Sequence, residues 1–407
     1  MATTPRIYRH HDYTIAWISA LPLEMAAAAA MLDERHPDLP TDLGDINSYI
    51  FGGIHGHNIV IVCLPAGVYG TTSAAVIASQ VQFTFKSIRF GLMVGIGGAV
   101  PSQGDIRLGD VVVSKPTRDY GGIVQYDYGK TLSNNRFERT GMLNKPPSVL
   151  LTAIAKLQAE HMVRSSNIPA ILSDMVCRYP KMKDRFTYRG AEQDVLFEAD
   201  YDHEDVESTC ANCNPSRRKS RPDRGYDVPV VHYGLIASAN QVMKSGRIRD
   251  QLANNSGILC FEMEAAGLMD NFPCLVIRGI CDYADSHKNK QWQEYAAATA
   301  AAYTKELLSM IHTKQVVDMP SPGVALELAQ YGEISKSLHI DIGQLLERIS
   351  NYDHDKVHRR LAYKRLPGTT QWFLNHATFK SWLTGLDQSS LWCSGKIGSD
   401  LSPRCRS

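Results

Sequence analysis

Three carboxylates stand where a folded chain could aim them at one substrate: Glu24, Glu264 and Asp282. Two carboxylates on opposite sides of a sugar carbon suit cleavage of a C–N or C–O glycosidic bond. One helps the leaving group depart, the other activates water, and an oxocarbenium-like centre develops between them. A third can grip two ribose hydroxyls, because an ionised carboxylate offers several acceptor positions. Gly95, Gly97 and Gly98, in FGLMVGIGG, would let backbone N–H groups come close to a ligand. The same acids equally suit structural work as helix caps or buried hydrogen-bond partners. The elements that carry them decide between the two.

Residues 258–285, ILCFEMEAAGLMDNFPCLVIRGICDYAD, predict a strand, a break carrying Glu264, and a second strand after Pro273. That second strand delivers Asp282, Tyr283 and Asp285 at its carboxyl end, where open α/β sheets keep their ligands. Residues 13–19 predict a buried strand, followed by a helix from Pro22 through an alanine-rich face to about Glu34. Proline fits the first helical position because its missing N–H is unpaired there anyway, so Glu24 falls in the first turn. Paired strands are predicted over 48–54 and 58–64 around His55-Gly56, then a small-residue helix over 71–84. Further strands are predicted from Phe90, over 108–114 and over 230–238, with helices over 148–160, near 245–254, and from Lys290 to Ile311. This alternation predicts an α/β domain.

At 407 residues the chain is long enough for a full-sized core and more than one domain, and a net charge of +1 gives no reason to expect nucleic acid or a membrane surface as partner. No stretch approaches the roughly 20 apolar residues that span a bilayer, and the N-terminus lacks a basic-then-apolar signal pattern, so it is expected to be unprocessed. Nine cysteines, several in apolar runs, suit reduced core thiols and a cytoplasmic chain. From about 167 to 229 no periodicity is sustained, and this stretch predicts an insertion. Its middle, Glu192 to Glu207, has eight acids and no Lys or Arg, and its end, Arg217 to Arg224, is basic. Charge blocks this dense predict a solvated loop. Cys210-x-x-Cys213 lacks a second Cys or His pair at zinc spacing, so neither metal nor cofactor is expected. MPSPG (319–323) predicts a linker, placed over 316–323, and 324–407 a mainly helical tail with apolar residues at helical spacing in IDIGQLLERI.

Taken together, the motifs over about 12–315 resemble the nucleoside phosphorylase and nucleosidase superfamily, most closely its methylthioadenosine/S-adenosylhomocysteine nucleosidase branch. ISALPLE resembles the family's first strand and loop, AGVYGTTSAA its small-residue helix start, and VGIGGAV with LGDVVVS its glycine-rich substrate loop and next strand. LIASANQVM, FEMEAAG and RGICD follow in the family's order. The resemblance implies a three-layer α/β/α fold with a mixed central sheet, and gives the acids roles. Glu24 would activate the attacking water, and Asp282 would hydrogen-bond or protonate purine N7. Glu264 would hold the 2′- and 3′-hydroxyls with Met263 against the sugar. Gly97 and Gly98 would line the substrate loop, and Asn240, Val242 and Met243 would flank the purine. Val242 stands where the family has a stacking aromatic, and Asn240 where it has an aspartate. The phosphorylase branch uses an arginine in a Gly-Asp-Pro-x-Arg type loop to hold phosphate. Here that loop is Ala-Leu-Pro-Leu-Glu, which favours hydrolysis.

The expected substrate is therefore an adenine nucleoside or nucleotide, and the expected assembly a homo-oligomer, a dimer by analogy with the family. Arg178, Lys181, Lys183, Arg185 and Arg189 of the insertion could meet a 5′-phosphate chain, which would admit ATP, as in immune-type nucleosidase domains of this superfamily. The alternatives are a phosphorylase and a non-catalytic signalling or scaffold module. The segment from Leu366 onward resembles the approach to the P-loop of fungal NACHT-type, NLR-like proteins, in which a nucleosidase domain is often the N-terminal effector. A P-loop needs G-x-x-x-x-G-K-[ST]; from Gly395 this chain has GKIGSDLS, with Asp400 and Leu401 at the glycine and lysine positions. A truncated or alternatively spliced end without an NTPase is the expectation, with Trp372, Trp382 and Trp392 a packing cluster or an exposed remnant.

Overall fold

Buried apolar runs and small-residue helices alternate along the chain, and together they build a mixed sheet covered on both faces. The computed structural model describes residues 7–320, apart from 42–43, 118, 134–135, 204–208, 226 and 255, together with 392–394 and 404–406. In chain order the first elements are β1 (Ile15–Ser19), α1 (Pro22–Met31), β2 (Glu34–Arg35), β3 (Tyr49–Ile54), β4 (His57–Cys63), α2 (Thr71–Thr84) and β5 (Phe90–Ala99). Then come β6 (Val111–Ser114), β7 (Ile123–Gln125), β8 (Gly129–Thr131), β9 (Phe137–Arg139), α3 (Ser148–Val163) and α4 (Ile168–Arg178). The domain closes with β10 (Val231–Ser238), α5 (Gly246–Asn254), β11 (Ile258–Glu262), β12 (Cys274–Asp282), α6 (Gln293–Ser309) and α7 (Thr313–Val317).

The strand order is β11-β10-β6-β12-β5-β1-β4-β3-β2, with β7 beside β10. β1 runs parallel to both β4 and β5, so all five of its residues are buried and it reads as an unbroken apolar run. β12 is parallel to β5 and antiparallel to β6, while β10 is parallel to β6 and β11. The sheet then folds back on itself: Cys260 and Phe261 of β11 pair antiparallel with Ala99 and Gly98 of β5. This closure brings the carboxyl ends of β5, β11 and β12 into contact.

Strand alternation sorts the core into two layers. Ile15, Trp17, Phe90, Leu92, Leu275 and Ile277 face α1, α3, α4 and α6, whereas Ala16, Ile18, Met93 and Val276 face α2 and residues 265–272. The fold is thus the expected three-layer α/β/α arrangement with a mixed central sheet. α6 is alanine-rich and buried all round, as a central covering helix must be. No helix among the described residues is long and apolar enough to cross a membrane.

Two expectations change. The alanine-rich helix ends at Met31 rather than near Glu34, because Glu34 and Arg35 pair with Gly53 and Gly52 of β3. Arg178 then caps its free carbonyls, donating to Ala30 O at 2.9 Å and Leu32 O at 2.8 Å. The insertion is not a solvated loop where it is described. It contains α4, which packs on α1 and α6, and its acidic and basic blocks fold against each other: Arg217 pairs with Glu198 and Asp200, and Arg221 with Asp194. Leu196 and Phe197 of the acidic block are buried. Opposite charge in two separate blocks removes the repulsion that made each look unpackable alone. The predicted helical tail over 324–407, with Trp372 and Trp382, lies outside the described residues apart from 392–394 and 404–406. In the second unit of the chain, β13 (Trp392–Ser394) pairs antiparallel with β14 (Arg404–Arg406).

Candidate active site

Glu24 enters the site because proline starts its helix. As the third residue of α1, its carboxylate accepts from Ala20 N–H at 2.7 Å and Leu21 N–H at 3.0 Å, and so caps the helix. Its other oxygen accepts from Ile96 N–H of β5 at 2.8 Å. Burial pushes its pKa up, against the lowering effect of the Arg278 charge and these N–H bonds. A side chain at Gly95 would put its Cβ 2.4 Å from Glu24 Oε1, so glycine here makes room for the carboxylate rather than for a ligand.

β11 and β12 supply the other acids. Glu262, last residue of β11, accepts from the N–H groups of Glu264 at 3.1 Å and Ala265 at 3.0 Å, which turns the chain sharply and aims Glu264 inward. Arg278, only 1% exposed in mid-β12, donates to Glu262 and stands 3.4 Å from Glu264 Oε2. Burial works against its charge, but Glu262, Glu264 and Glu24 outweigh that and hold its pKa above the ordinary value. Burial also acts on Glu264. Opposed by Arg278 and joined by Glu262 and Glu24, it pushes that carboxyl up to about 7.

Asp282 ends β12. One oxygen accepts from Ala284 N–H at 2.8 Å, and the other lies 3.2 Å from Lys288 Nζ. Burial disfavours the lysine's charge, but Asp282 outweighs it and raises the Lys288 pKa. A Cβ at Gly98 would come within 2.5 Å of Asp282 Oδ1, so this glycine too is set by a carboxylate.

These groups line one cavity of about 390 Å³. Glu24, Gly97, Gly98, Val242, Met243, Met263, Glu264 and Asp282 all reach it, although they come from loops and strand ends throughout the chain. Asn240 does not. Its side chain accepts from Thr71 N–H at 2.9 Å and donates to Thr71 Oγ1 at 2.8 Å, tying the exit of β10 to the start of α2. None of Arg178, Lys181, Lys183, Arg185 and Arg189 lines it either, and Arg185 pairs with Glu294.

Sequence reasoning missed four groups. Arg278 hides in the apolar run LVIRGIC, and an arginine inside a strand otherwise buried on both faces is itself the signal that buried carboxylates await it. Glu262 is masked by the role given to Glu264. Lys288, among the loop residues after β12, carries no pattern. Phe261 is buried and lines the cavity, with Tyr126 edge-on to it at 5.4 Å, so the pocket has an aromatic wall despite Val242.

The phosphorylase superfamily profile matches residues 14–311. A nucleotide-binding leucine-rich repeat (NLR)-like protein of Hyaloscypha variabilis is 48% identical over 305 residues, which are 74% of this chain and 29% of that protein. The chain thus spans less than a third of the relative's length. Among solved structures, futalosine hydrolase of Helicobacter pylori is similar at 16% identity and a TM-score of 0.48, covering 74% of this chain and 100% of that one. The 5′-methylthioadenosine/S-adenosylhomocysteine nucleosidase of Neisseria meningitidis, solved with methylthio-immucillin-A, is similar at 17% identity and a TM-score of 0.47, covering 73% and 99%. With the profile matched over most of its length, this chain belongs to the phosphorylase superfamily.

Proposed function

We propose that the protein hydrolyses the N-glycosidic bond of a purine nucleoside or nucleotide, with adenine as the base, releasing free base and ribose or its 5-phosphates. The observation that carries this reading is the convergence of Glu24, Glu264 and Asp282 on one largely apolar cavity. Asp282, which takes up a proton from solvent as substrate binding releases Lys288, donates it to N7 as the C1′–N9 bond breaks and the bond's electron pair passes to the base. Glu264 accepts from the ribose hydroxyls while positive charge grows on the sugar ring, and Met263 packs beneath it. Water adds to C1′ and gives its proton to Glu24, whose raised pKa brings it nearer the neutral range that suits a general base. Phe261, Val242 and Met243 enclose the base.

Hydrolysis is preferred to phosphorolysis because the cations lining the cavity are Lys288, already on Asp282, and Lys290. Lys290 is exposed and lines the cavity, and in this reading it would meet a 5′-phosphate chain. The test is to incubate the protein with adenosine, inosine, methylthioadenosine and ATP, with and without phosphate, and to identify the products. Adenine released without phosphate is the expected result. Ribose 1-phosphate formed only with phosphate means a phosphorylase, and no product from any substrate means a scaffold.

The raised Glu264 pKa adds a pH dependence. An ionised Glu264 accepts two hydroxyls, whereas the protonated form loses acceptor capacity and negative charge. With its carboxyl pushed up to about 7, kcat/KM falls on the acid side with a limb near that pH. A profile that stays flat from pH 7 down to 5 would show that the ionised form is not required.

A further inference from the structure

The insertion carries a second group of reactive side chains, remote in sequence from the carboxylates. Among the described residues, His203, Cys210 and Cys213 each bring a ligating atom to within 4.8 Å of the other two. Spacing along the chain shows only the Cys-x-x-Cys pair. The third group lies seven residues before Cys210 and is brought back by its backbone, since His203 N–H donates to Ser286 Oγ at 2.9 Å. Cys213 N–H donates to Cys210 O at 3.3 Å, closing the tight turn that sets the two sulfurs together.

A fourth side chain stands against this group from the catalytic domain. His287 is 8% exposed, and neither ring nitrogen has a hydrogen-bond partner among the described residues. Leaving a buried polar group unsatisfied costs about 1–3 kcal/mol, so an imidazole in this state calls for an explanation. Its ring centroid is 5.5 Å from that of His203, it stacks on Phe197 at 4.1 Å, and its carbonyl lies 3.9 Å from Cys210 Sγ. Asp285 Oδ1 is 3.8 Å from its Nδ1, too far for a hydrogen bond but placed to orient a ligating ring from outside.

We propose that His203, Cys210, Cys213 and His287 form a structural tetrahedral zinc site that clamps the insertion to the segment following Asp282. Two thiolates and two imidazoles are the donor set that borderline-soft Zn²⁺ takes in closed structural sites. Ligand atoms around such an ion lie about 3.3–3.8 Å apart, so His203, Cys210 and Cys213, within 4.8 Å of one another, need to close by about 1 Å, and the His287 ring has to turn in to join them. Both thiols release their protons to solvent on binding, leaving a complex with no net charge. The site bears on the cavity through sequence adjacency. The residue after His287 is Lys288, whose Nζ pairs with Asp282, so fixing His287 fixes that lysine.

The test uses the full chain purified with reductant, its metal content measured directly, and cobalt(II) titrated into metal-stripped protein. We expect one zinc per chain, and for the cobalt form intense thiolate-to-metal absorption with tetrahedral d–d bands. Cys210→Ser and Cys213→Ser each lose the thiolate band in proportion, and His287→Ala weakens metal retention against a chelator. Circular dichroism of each variant separates loss of metal from loss of fold, and the wild-type titration stands without any variant. The proposal is overturned if reduced wild-type protein takes up neither zinc nor cobalt, or if uptake is equal in the Cys210→Ser/Cys213→Ser double variant. None of these readouts involves turnover, so the result is independent of the catalytic assignment.

Discussion

Asp282→Asn is expected to leave the chain folded and lower the proposed hydrolysis of a purine nucleoside or nucleotide by about 10²–10⁴-fold, the range for losing a positioned general acid. The substitution is nearly isosteric. The side-chain oxygen of asparagine can still accept from Ala284 N–H, the contact that shapes the end of β12. What changes is the proton. An amide has none to give to N7, and its NH₂ faces Lys288, which must turn away. Without that proton adenine has to leave as an anion, a poor leaving group, so the loss falls on kcat rather than KM. Single-turnover release of adenine measures it, alongside thermal unfolding to verify the fold. Full turnover by Asp282→Asn would remove Asp282 from the mechanism and move the acid to Glu264 or to water.

Arg278→Met should act on stability as strongly as Asp282→Asn acts on rate. Arg278 is the buried cation between Glu262 and Glu264, and its field reaches Glu24. Removing one partner of a buried ion pair costs about 3–5 kcal/mol, because the remaining charges keep their desolvation penalty without compensation. For a domain of this size that lowers Tm by on the order of 10 °C. The deficit also depends on pH. Without the arginine the folded-state carboxyls of Glu24 and Glu264 rise further above their ordinary value, so the folded state binds more protons than the unfolded one. Stability of the variant therefore climbs as pH falls from about 7, where wild-type Glu264 already titrates, toward the ordinary 4.5. Adding Glu262→Gln should recover part of the loss, since one of the stranded charges is gone. Urea unfolding of both variants at pH 7 and pH 5 measures this. A deficit under 1 kcal/mol, or one that does not shrink at pH 5, would mean that the carboxylates find solvent or other partners.

The two experiments separate two jobs that share a few ångströms of sheet. In the proposed mechanism Asp282 serves the reaction, and it is held by its own turn and by Lys288. Arg278 lies one layer deeper and allows several acids to be buried together. That burial in turn lifts Glu24 and Glu264 toward the neutral range.

Much of this was legible from residue types and periodicity. β1 and β5 are almost wholly apolar, and β12 is apolar but for Arg278 and its terminal Asp282, because they are buried on both faces, and such runs are visible whatever surrounds them. Pro22 announces α1 and so places Glu24 in its first turn, and α2 spans the predicted 71–84. Glu24, Glu264 and Asp282 were legible as acids at strand ends, which is where an α/β sheet opens to ligand. The glycines at 95 and 98 also yield space to the carboxylates of Glu24 and Asp282, a reason that no local pattern carries. Asn240 was assigned to the pocket but holds α2 instead.

What stayed hidden depends on pairs of residues far apart along the chain. The antiparallel return of β11 onto β5 puts Phe261 and Glu262 beside Gly98, and no local period encodes a contact across more than 160 residues. The acidic and basic blocks of the insertion looked separately unable to pack, and only their mutual neutralisation shows otherwise. His203 joins Cys210 and Cys213 only once the insertion folds, and the His287 ring comes within 5.5 Å of that of His203 only once the insertion is laid on the strand end. The sequence by itself determined which elements form and which acids they carry, because hydrophobic period and capping are local. Tertiary structure alone decided which acids share one cavity, which cation keeps them there and which thiols meet which imidazoles, because burial and charge act through space.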